Sequence, residues 1–186
     1  MQLVKMSTAE KNRRTRHKHQ GFCCDSFDTL LKHLDVERKV IDAKIKTALQ
    51  KNEATFECQQ LLESVPGIST TTAAVIITHL PELGKLDRRA IAKLVGLAPL
   101  NNDSGKHRGK RSIFGGRERV RTALYMSVIS GINHNPKVKK AYEGFRSRRM
   151  PPKVAIIACA RKLLTQINAM IRDQQPWQNE ELPVCS

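Results

Sequence analysis

Aromatic residues are scarce in this chain, and its few cysteines show no pairing pattern. Phe, Trp and Tyr make up 4% of 186 residues, so the 40% apolar content must build an aliphatic core. The five cysteines are odd in number and contain no C-x-x-C, which supports neither a disulfide framework nor a ribbon-type zinc site. His17, His19, Cys23 and Cys24 crowd together, but in a spacing that matches no common structural zinc site. We therefore predict a cytoplasmic protein whose own residues hold no metal or cofactor.

Long hydrophobic runs and negative charge are lacking as well. The longest unbroken apolar run, VAIIACA at 154–160, is too short to cross a bilayer, and the first 20 residues lack the apolar stretch of a signal peptide. The chain has 33 Lys and Arg against 17 Asp and Glu, a net charge of +16. Such an excess repels itself on compaction and predicts a polyanionic partner. We expect nucleic acid rather than an acidic membrane surface, because no segment joins basic residues to a large apolar helix stripe ending in Trp or Phe.

The N-terminal third predicts a basic arm followed by a long helix. Residues 1–20 carry six Lys and Arg against one Glu, so we expect 1–24 to be a flexible arm or the edge of a larger domain. Over 25–60, apolar residues recur in steps of three and four across about three heptads, which predicts a coiled-coil-like linker helix. The seam consists of Phe27, Leu31, Leu34, Ile41, Ile45 and Ala48. This helix either pairs with another helix, in the same chain or a second copy, or lies on a core. We favour pairing and a homo-oligomer, because residues 1–60 offer no separate core.

Residues 61–173 predict a compact helical domain. VPGIS at 65–69 joins two helices, the second capped by Ser69, and resembles a helix-hairpin-helix corner. In that module, Gly67 would let backbone N–H groups approach a phosphate; the alternative is a helical corner that only packs. Asp87 is a predicted N-cap, and further helices are expected over 117–133 and 153–172. Between those two helices, Asn135-Pro136 introduces a basic stretch. No strand-like alternation is present, so we predict an all-α protein with a disordered tail over 174–186.

The segment between the middle helices is a glycine-rich loop, with room for a short hairpin, in which positive charge is concentrated. From Ser104 to Arg121 there are seven Lys and Arg and one Glu. These charges repel one another unless something neutralises them, so we predict contact with phosphates rather than simple solvation of a loop. The candidate phosphate-contacting residues are Lys106, Arg108, Lys110, Arg111, Arg117 and Arg121.

Ser104 stands at the mouth of this loop, and its hydroxyl is either an ordinary surface group or a nucleophile. A free serine hydroxyl reacts poorly without a base, a metal or a cationic setting. Gly105 would permit a turn that exposes the side chain, the arginines would stabilise a pentacoordinate phosphate, and His107 is a nearby candidate base.

Several motifs in combination resemble the C-terminal region of the insertion-sequence-110/116/902 family of bacterial transposases, relatives of the Piv DNA invertase. They are the P-G hairpin, G-L-A-P at 96–99, D-S-G-K-x-R-G at 103–109 and G-G-R-x-x-V-R-x-A-L-Y at 115–125. QLVKMSTAEKNRR at 2–14 is similar to the segment that leads into the family's linker helix. The resemblance implies that Ser104 is the catalytic serine, which forms a covalent phosphoserine link to DNA. It also implies a RuvC-like domain whose four acidic residues hold divalent metal, and a structured bridge RNA as guide.

Those acidic residues are absent from this sequence, since Asp25, Asp28 and Asp35 lie in the predicted linker helix. We therefore expect a truncated transposase that binds DNA, with guide RNA as a further partner, and that does not recombine DNA without the RuvC-like domain. The alternative from another class is a non-catalytic helix-hairpin-helix protein that binds nucleic acid. A third interpretation is a basic coiled-coil scaffold for RNA.

Overall fold

The computed structural model describes residues 2–17, 24–99, 103–104, 107–108 and 113–178, the short pieces 103–104 and 107–108 by their backbone alone. It divides into two compact units, Met1–Ala48 and Leu49–Ser186. Helices dominate the described residues, and the predicted all-α class is confirmed. The helices are α1 (Gln2–His17), α2 (Cys24–Gln50), α3 (Glu53–Glu63), α4 (Thr70–His79), α5 (Arg88–Val95), α6 (Glu118–His134), α7 (Pro136–Ser147) and α8 (Pro152–Asp173). Two-residue strands β1 (Asp103–Ser104) and β2 (His107–Arg108) lie between α5 and α6.

Two helices begin where their capping residues predict. The Ser69 hydroxyl accepts a hydrogen bond from the Thr72 N–H at 3.3 Å, which caps α4. Asp87 Oδ1 accepts from the N–H groups of Arg89 at 2.6 Å and Ala90 at 2.9 Å, which caps α5. Each cap satisfies backbone donors that have no partner within the helix. Both predicted caps are confirmed.

The range 25–60 contains two helices instead of one. α2 ends at Gln50, and Asn52 starts α3 by accepting a hydrogen bond from the Thr55 N–H at 3.1 Å. Asparagine is among the preferred N-cap residues, so a helix can restart here without glycine or proline. The seam prediction overlooked this signal because it followed apolar spacing alone.

The first unit is a pair of antiparallel helices. Arg14 Nε lies 2.8 Å from Asp28 Oδ1, and the His17 ring stacks on Phe27 with centroids 5.8 Å apart. At the other end of α1, Leu3 and Val4 line a small cavity together with Leu34, which is 5% exposed. Residues 2–17 therefore form a helix on α2 and not a flexible arm, while the prediction that 1–24 is the edge of a larger domain stays a prediction. The first half of the predicted seam is paired within this unit.

The second unit is built on an aliphatic core. Leu62, Ile76, Ile91, Leu124 and Leu164 are fully buried within it, and the central helices α6 and α8 pack against each other. An aliphatic core is what the low aromatic content requires.

Two buried asparagines join chain segments within this core. Asn168 on α8 accepts from the Gly84 N–H and donates to the Leu86 carbonyl, both at 2.8 Å. Asn135 lies between α6 and α7 and donates to the Pro66 carbonyl at 3.3 Å. Buried amides with such partners fix one arrangement of the segments that they connect.

The basic stretch after Asn135-Pro136 is the helix α7. Pro136 occupies the first helical turn, where its missing N–H costs nothing, and Asn135 Oδ1 accepts from the Lys137 and Val138 N–H groups. Val138, Ala141, Tyr142 and Phe145 form the face that packs on the core. These residues recur at helical spacing, but the sequence analysis considered only the basic residues of this stretch.

Part of the predicted disordered tail lies against the core. Trp177 packs on the hydrophobic cluster, and its backbone N–H donates to the Ser64 hydroxyl at 3.0 Å. Lys137 Nζ lies 5.4 Å from the centre of its ring. A tryptophan offers enough apolar area to hold a short segment in place, which accounts for the order of residues 174–178.

Helix α8 is long and apolar enough to cross a membrane by length and composition alone. However, Leu163, Leu164 and Ile167 on this helix are buried in the core of the second unit. A core helix of this length passes the same test, and the packing of α8 accounts for its composition.

Candidate functional site

Ser104 is the last residue of the first strand of a short antiparallel hairpin, next to the turn. The backbone of β1 pairs with β2 in the register Asp103 with Arg108 and Ser104 with His107. The expectation of a short hairpin in this loop is thus confirmed, and Ser104 is separated from its partner by two residues of sequence. The side chains of the hairpin, and Gly105, Lys106, Lys110 and Arg111 altogether, lie outside what the structure describes. The predicted phosphate contacts of Lys106, Arg108, Lys110 and Arg111 therefore stay predictions.

The two ends of this loop are held together by glycines. Gly96 ends α5 with φ +77°, and Gly116 precedes α6 with φ +68°. A Cβ on Gly116 would lie 2.4 Å from the Gly96 nitrogen, and a Cβ on Gly96 would lie 2.3 Å from the Gly115 carbonyl oxygen. Only glycine allows both the positive φ and this approach of one backbone to another. The contact brings the end of α5 next to the start of α6, and we call it the loop clamp.

Arg121 is part of the loop clamp. Its Nη1 donates to the Val95 carbonyl at 3.3 Å and to the Gly115 carbonyl. A guanidinium at the C-terminal end of a helix satisfies free carbonyls and complements the helix dipole. The side chain that was predicted to contact a phosphate is therefore engaged with the backbone of α5 and of the loop.

Arg117 also contacts the protein itself, at residues that precede α5. Its guanidinium makes a two-pronged ion pair with Glu82 and donates to the His79 carbonyl at 2.8 Å, while its N–H donates to the Leu94 carbonyl at 3.1 Å. The hydrogen bonds from Arg117 hold the pKa of Glu82 below its usual range. Arg117 thus ties the turn after α4 to the start of α6.

This ion pair and the Asp87 cap predict a specific acid sensitivity. Hydrogen bonds from the Ala90 and Arg89 N–H groups lower the pKa of Asp87, as Arg117 lowers that of Glu82. Because both carboxyls have lower pKa values folded than unfolded, their stabilisation is present near neutrality and is lost as pH falls below about 4. We expect the Glu82→Gln, Asp87→Asn double variant to lose less stability between pH 7 and pH 3 than the parent, measured by urea unfolding across pH.

The matched control is Glu57→Gln on α3, which removes an exposed carboxylate that makes no described ion pair. It should leave the acid dependence as it is in the parent protein. An acid dependence of the double variant that equals that of the parent would contradict the roles given to Glu82 and Asp87.

Gly67 has a packing role in the structure. It has φ +102°, and a Cβ there would lie 2.8 Å from the Ser127 carbonyl oxygen and 2.9 Å from the Gly131 nitrogen. The turn between α3 and α4 therefore rests on the backbone of α6, and the Asn135 amide holds the Pro66 carbonyl beside it. This contact requires glycine without any phosphate, as the alternative of a packing corner predicts.

Two cationic features near the loop escaped the sequence analysis. Arg119 points its Nη1 to His79 Nε2 at 3.2 Å, on the exposed surface at the start of α6. Arg88, Arg89 and Arg161 line a groove beside the loop clamp. Sequence spacing carries no signal for the groove, because its sides come from α5 and from α8.

The described residues bring together no group of three or more His, Cys, Asp or Glu side chains that could hold a metal ion. The family resemblance places its divalent metal on the acidic residues of a RuvC-like domain and not on the residues described. We therefore assign no step to a metal on these residues.

Comparison with known proteins shows which family these features resemble. The family model for "Transposase IS116/IS110/IS902 family" matches residues 59–143, which include the α3–α4 corner, the loop clamp and the hairpin. An uncharacterized 43.6 kDa protein of insertion element IS110 from Streptomyces coelicolor is 27% identical over 139 residues, 74% of this chain and 33% of that protein.

Two pilin gene-inverting proteins are also similar to this chain. The one from Moraxella bovis is 27% identical over 169 residues, 88% of this chain and 52% of its own length. The one from Moraxella lacunata is 31% identical over 121 residues, 63% of this chain and 38% of its own length. The match thus spans between a third and about half of these relatives. Through residues 59–143, the chain matches the model of the IS116/IS110/IS902 transposase family.

Proposed function

We propose that this chain takes part in DNA recombination as the serine-bearing part of a transposase, and that Ser104 attacks a DNA phosphodiester. The Ser104 oxygen forms a bond to phosphorus, and the bond from phosphorus to one deoxyribose oxygen breaks. The serine proton passes to a base, and the departing oxygen takes up a proton. The product is a phosphoserine link and a free deoxyribose hydroxyl, which can be rejoined to another strand by the reverse step.

The observation that carries this proposal is the fixed base of the loop. The loop clamp and Arg121 hold the end of α5 against the start of α6, and the hairpin pairs Ser104 with His107 within the loop. A nucleophile must be held to well within an ångström to react efficiently. A merely solvated loop has no need of two left-handed glycines in contact at its base.

The cations of the loop divide into two groups in this proposal. Lys106, Arg108, Lys110 and Arg111 contact DNA phosphates and stabilise the charge of the attacked phosphate. Arg117 and Arg121 act as positioning residues, since both are engaged with the protein itself. Gly67 supports the corner on α6.

Strand exchange also needs the chemistry that the family resemblance assigns to a RuvC-like domain and a bridge RNA. A test of this chain therefore has to add both the RuvC-like domain and the bridge RNA. The experiment combines the chain with a RuvC-like half, bridge RNA and donor and target DNA. A protein–DNA adduct that survives denaturation supports the nucleophile, while salt-sensitive binding without any adduct supports the alternative, a non-catalytic nucleic-acid-binding protein.

One observation favours the alternative: Arg117 and Arg121 are engaged with the protein itself, although the packing of Gly67 on α6 supports a corner that only packs over a phosphate-binding module. Each of these residues has a structural reason that needs no catalysis. Under this alternative, the net charge of +16 provides affinity for DNA or RNA, and Ser104 is dispensable.

Helix α2 is the proposed site of self-association. Ile41, on the predicted seam, is 43% exposed, although the seam residue Leu34 is 5% exposed in the pair with α1. An exposed apolar seam position on a long helix is typical of a helix that pairs with a second copy. We expect Ile41→Glu to shift the protein from dimer to monomer in sedimentation velocity experiments.

The matched control is Val36→Glu, a residue of α2 that is 56% exposed and lies on the opposite face. It adds the same charge to the same helix and should leave the dimer intact. A parent protein that is monomeric at high concentration, or an Ile41→Glu variant that dimerises like the parent, would contradict self-association through the seam.

A further inference from the structure

The groove beside the loop clamp has a distinctive chemical division. It encloses about 870 Å³ within the second unit and lies between α5, the end of α7 and α8. Its interior is apolar, formed by Leu97, Phe145, Val154 and Ile157 among others. Among the described residues that line it there is no carboxylate and there are five cationic side chains, namely Arg88, Arg89, Lys153, Arg161 and Lys162.

These five cations make no ion pair with the residues that the structure describes, unlike Arg117 and Arg172 in the same unit, although the Asp87 carboxylate attracts Arg88 and Arg89 at the start of α5. Five like charges around one groove repel one another unless an anion neutralises them. The groove is therefore complementary to a chain of negative charges.

The apolar interior distinguishes between kinds of polyanion. A DNA duplex keeps its bases stacked inside and offers mainly phosphates to a positive surface, so an apolar floor contributes little to holding it. An unpaired strand exposes the faces of its bases, which gain free energy against aromatic and aliphatic side chains. Phe145 and Val154 provide such a floor, and Val154 is 50% exposed.

The groove lies at the base of the loop that carries Ser104. Pro99 and Ile113, the described residues nearest to the two ends of segment 100–112, both line it. A strand that occupies the groove would therefore run past the base of the loop that carries the serine.

From this geometry we propose that the groove binds an unpaired nucleic-acid strand, with bases on its apolar floor and phosphates on its cationic rim. This deepens the proposed function and rests on it. The occupant is the DNA strand that must leave its duplex during exchange, because that strand presents exposed bases beside its phosphodiesters.

Binding to labelled oligonucleotides tests the floor. The full chain is titrated with a single-stranded DNA, with an abasic strand of the same length, and with an RNA of the same sequence. We expect the strand with bases to bind about tenfold more tightly than the abasic strand, since stacking is worth about 1–3 kcal/mol per base. Val154→Asn should reduce that preference about fivefold, and the matched control Met126→Asn, at a residue of α6 that is 56% exposed, should retain it.

A second pair of variants tests the rim. Arg161→Gln with Lys162→Gln should weaken binding to both strands and lower the salt slope by about 0.7 for each phosphate that the variant no longer neutralises. The control pair Lys44→Gln with Lys46→Gln on α2 removes the same charge outside the groove and should leave the slope unchanged. Tighter binding of the RNA than of the single-stranded DNA of the same sequence would contradict the assignment of the groove to the exchanged DNA strand.

Several results would overturn the groove proposal. Equal affinity for the strand with bases and for the abasic strand would be one. A Val154→Asn variant with the same preference for bases as Met126→Asn would be another. The third is an acidic peptide that binds more tightly than either strand and displaces both. Formation of the Ser104 adduct on duplex DNA is a separate measurement. If the adduct forms and the groove variants leave strand binding unchanged, the groove proposal alone is wrong. If no adduct forms but the preference for the strand with bases is observed, the proposal of Ser104 as nucleophile is wrong.

Discussion

Replacing Ser104 by alanine should abolish the covalent protein–DNA adduct and strand exchange while leaving DNA binding unchanged. The hydroxyl oxygen is the atom proposed to bond to phosphorus, and alanine has no atom to replace it. Loss of the nucleophile from a catalytic group that acts as a unit lowers turnover by roughly 10⁴-fold to 10⁶-fold. The loop cations are unchanged in the variant, so its affinity for duplex DNA and its salt dependence should equal those of the parent.

The matched control is Ser112→Ala, which removes the other serine of the same glycine-rich basic segment. It should form the adduct at the rate of the parent. Recombination by Ser104→Ala at the parental rate, with the RuvC-like half and bridge RNA present, would contradict the nucleophile. In that case, the alternative of a nucleic-acid-binding protein without catalysis would account for the charge and the packing.

Replacing Gly116 by alanine should unfold the loop clamp and destabilise the second unit by about 3 kcal/mol or more. The added Cβ would lie 2.4 Å from the Gly96 nitrogen and 2.6 Å from the Val95 carbonyl carbon. These are backbone atoms that cannot rotate away, so α5 and α6 must separate. Because that contact sets the ends of the loop, the rate of adduct formation should fall as well. Urea unfolding and adduct formation measure the two effects.

The neighbouring Gly115 is the control for backbone strain. It has φ +66°, close to the +68° of Gly116, but a Cβ there would meet nothing within 4 Å. Gly115→Ala should therefore cost only the left-handed conformation, about 1 kcal/mol. The difference in stability between the two variants therefore measures the cost of the close backbone contact alone. Equal losses of stability for Gly115→Ala and Gly116→Ala would contradict the loop clamp.

Local signals in the sequence predicted the helical elements of the second unit well. Ser69 and Asp87 were identified as caps because their side chains act within three residues of the chain, where spacing is readable. The prediction of one continuous helix over 25–60 failed because a local signal was not used. Asn52 is an equally local cap, but the seam of α2 was followed past it.

The roles of the arginines could not be predicted from the sequence. Arg117 lies 35 residues from its partner Glu82, and Arg121 lies 26 residues from the Val95 carbonyl that it contacts. Density of positive charge predicts a polyanion partner for the surface as a whole, but it does not separate the residues that bind from those that brace. The tertiary contacts between α4, α5 and α6 show that Arg117 and Arg121 are engaged with the protein itself.

The position of Ser104 was predictable only in part. The glycines and the surrounding charge predicted a loop with a short hairpin, and the family motif pointed to the serine, but neither predicted the loop clamp. Gly96 and Gly116 are 20 positions apart in the sequence, and their contact has no local signature. The groove formed by α5 and α8 depends on residues that are still further apart.

The most direct test of the account is to identify the residue that becomes attached to DNA. The adduct formed with the RuvC-like half and bridge RNA is denatured, digested with protease and nuclease, and its peptides are sequenced by mass spectrometry. We predict a nucleotide phosphate on Ser104. A nucleotide on any other side chain, or recombined DNA with no protein–DNA link at any time, would contradict the central claim.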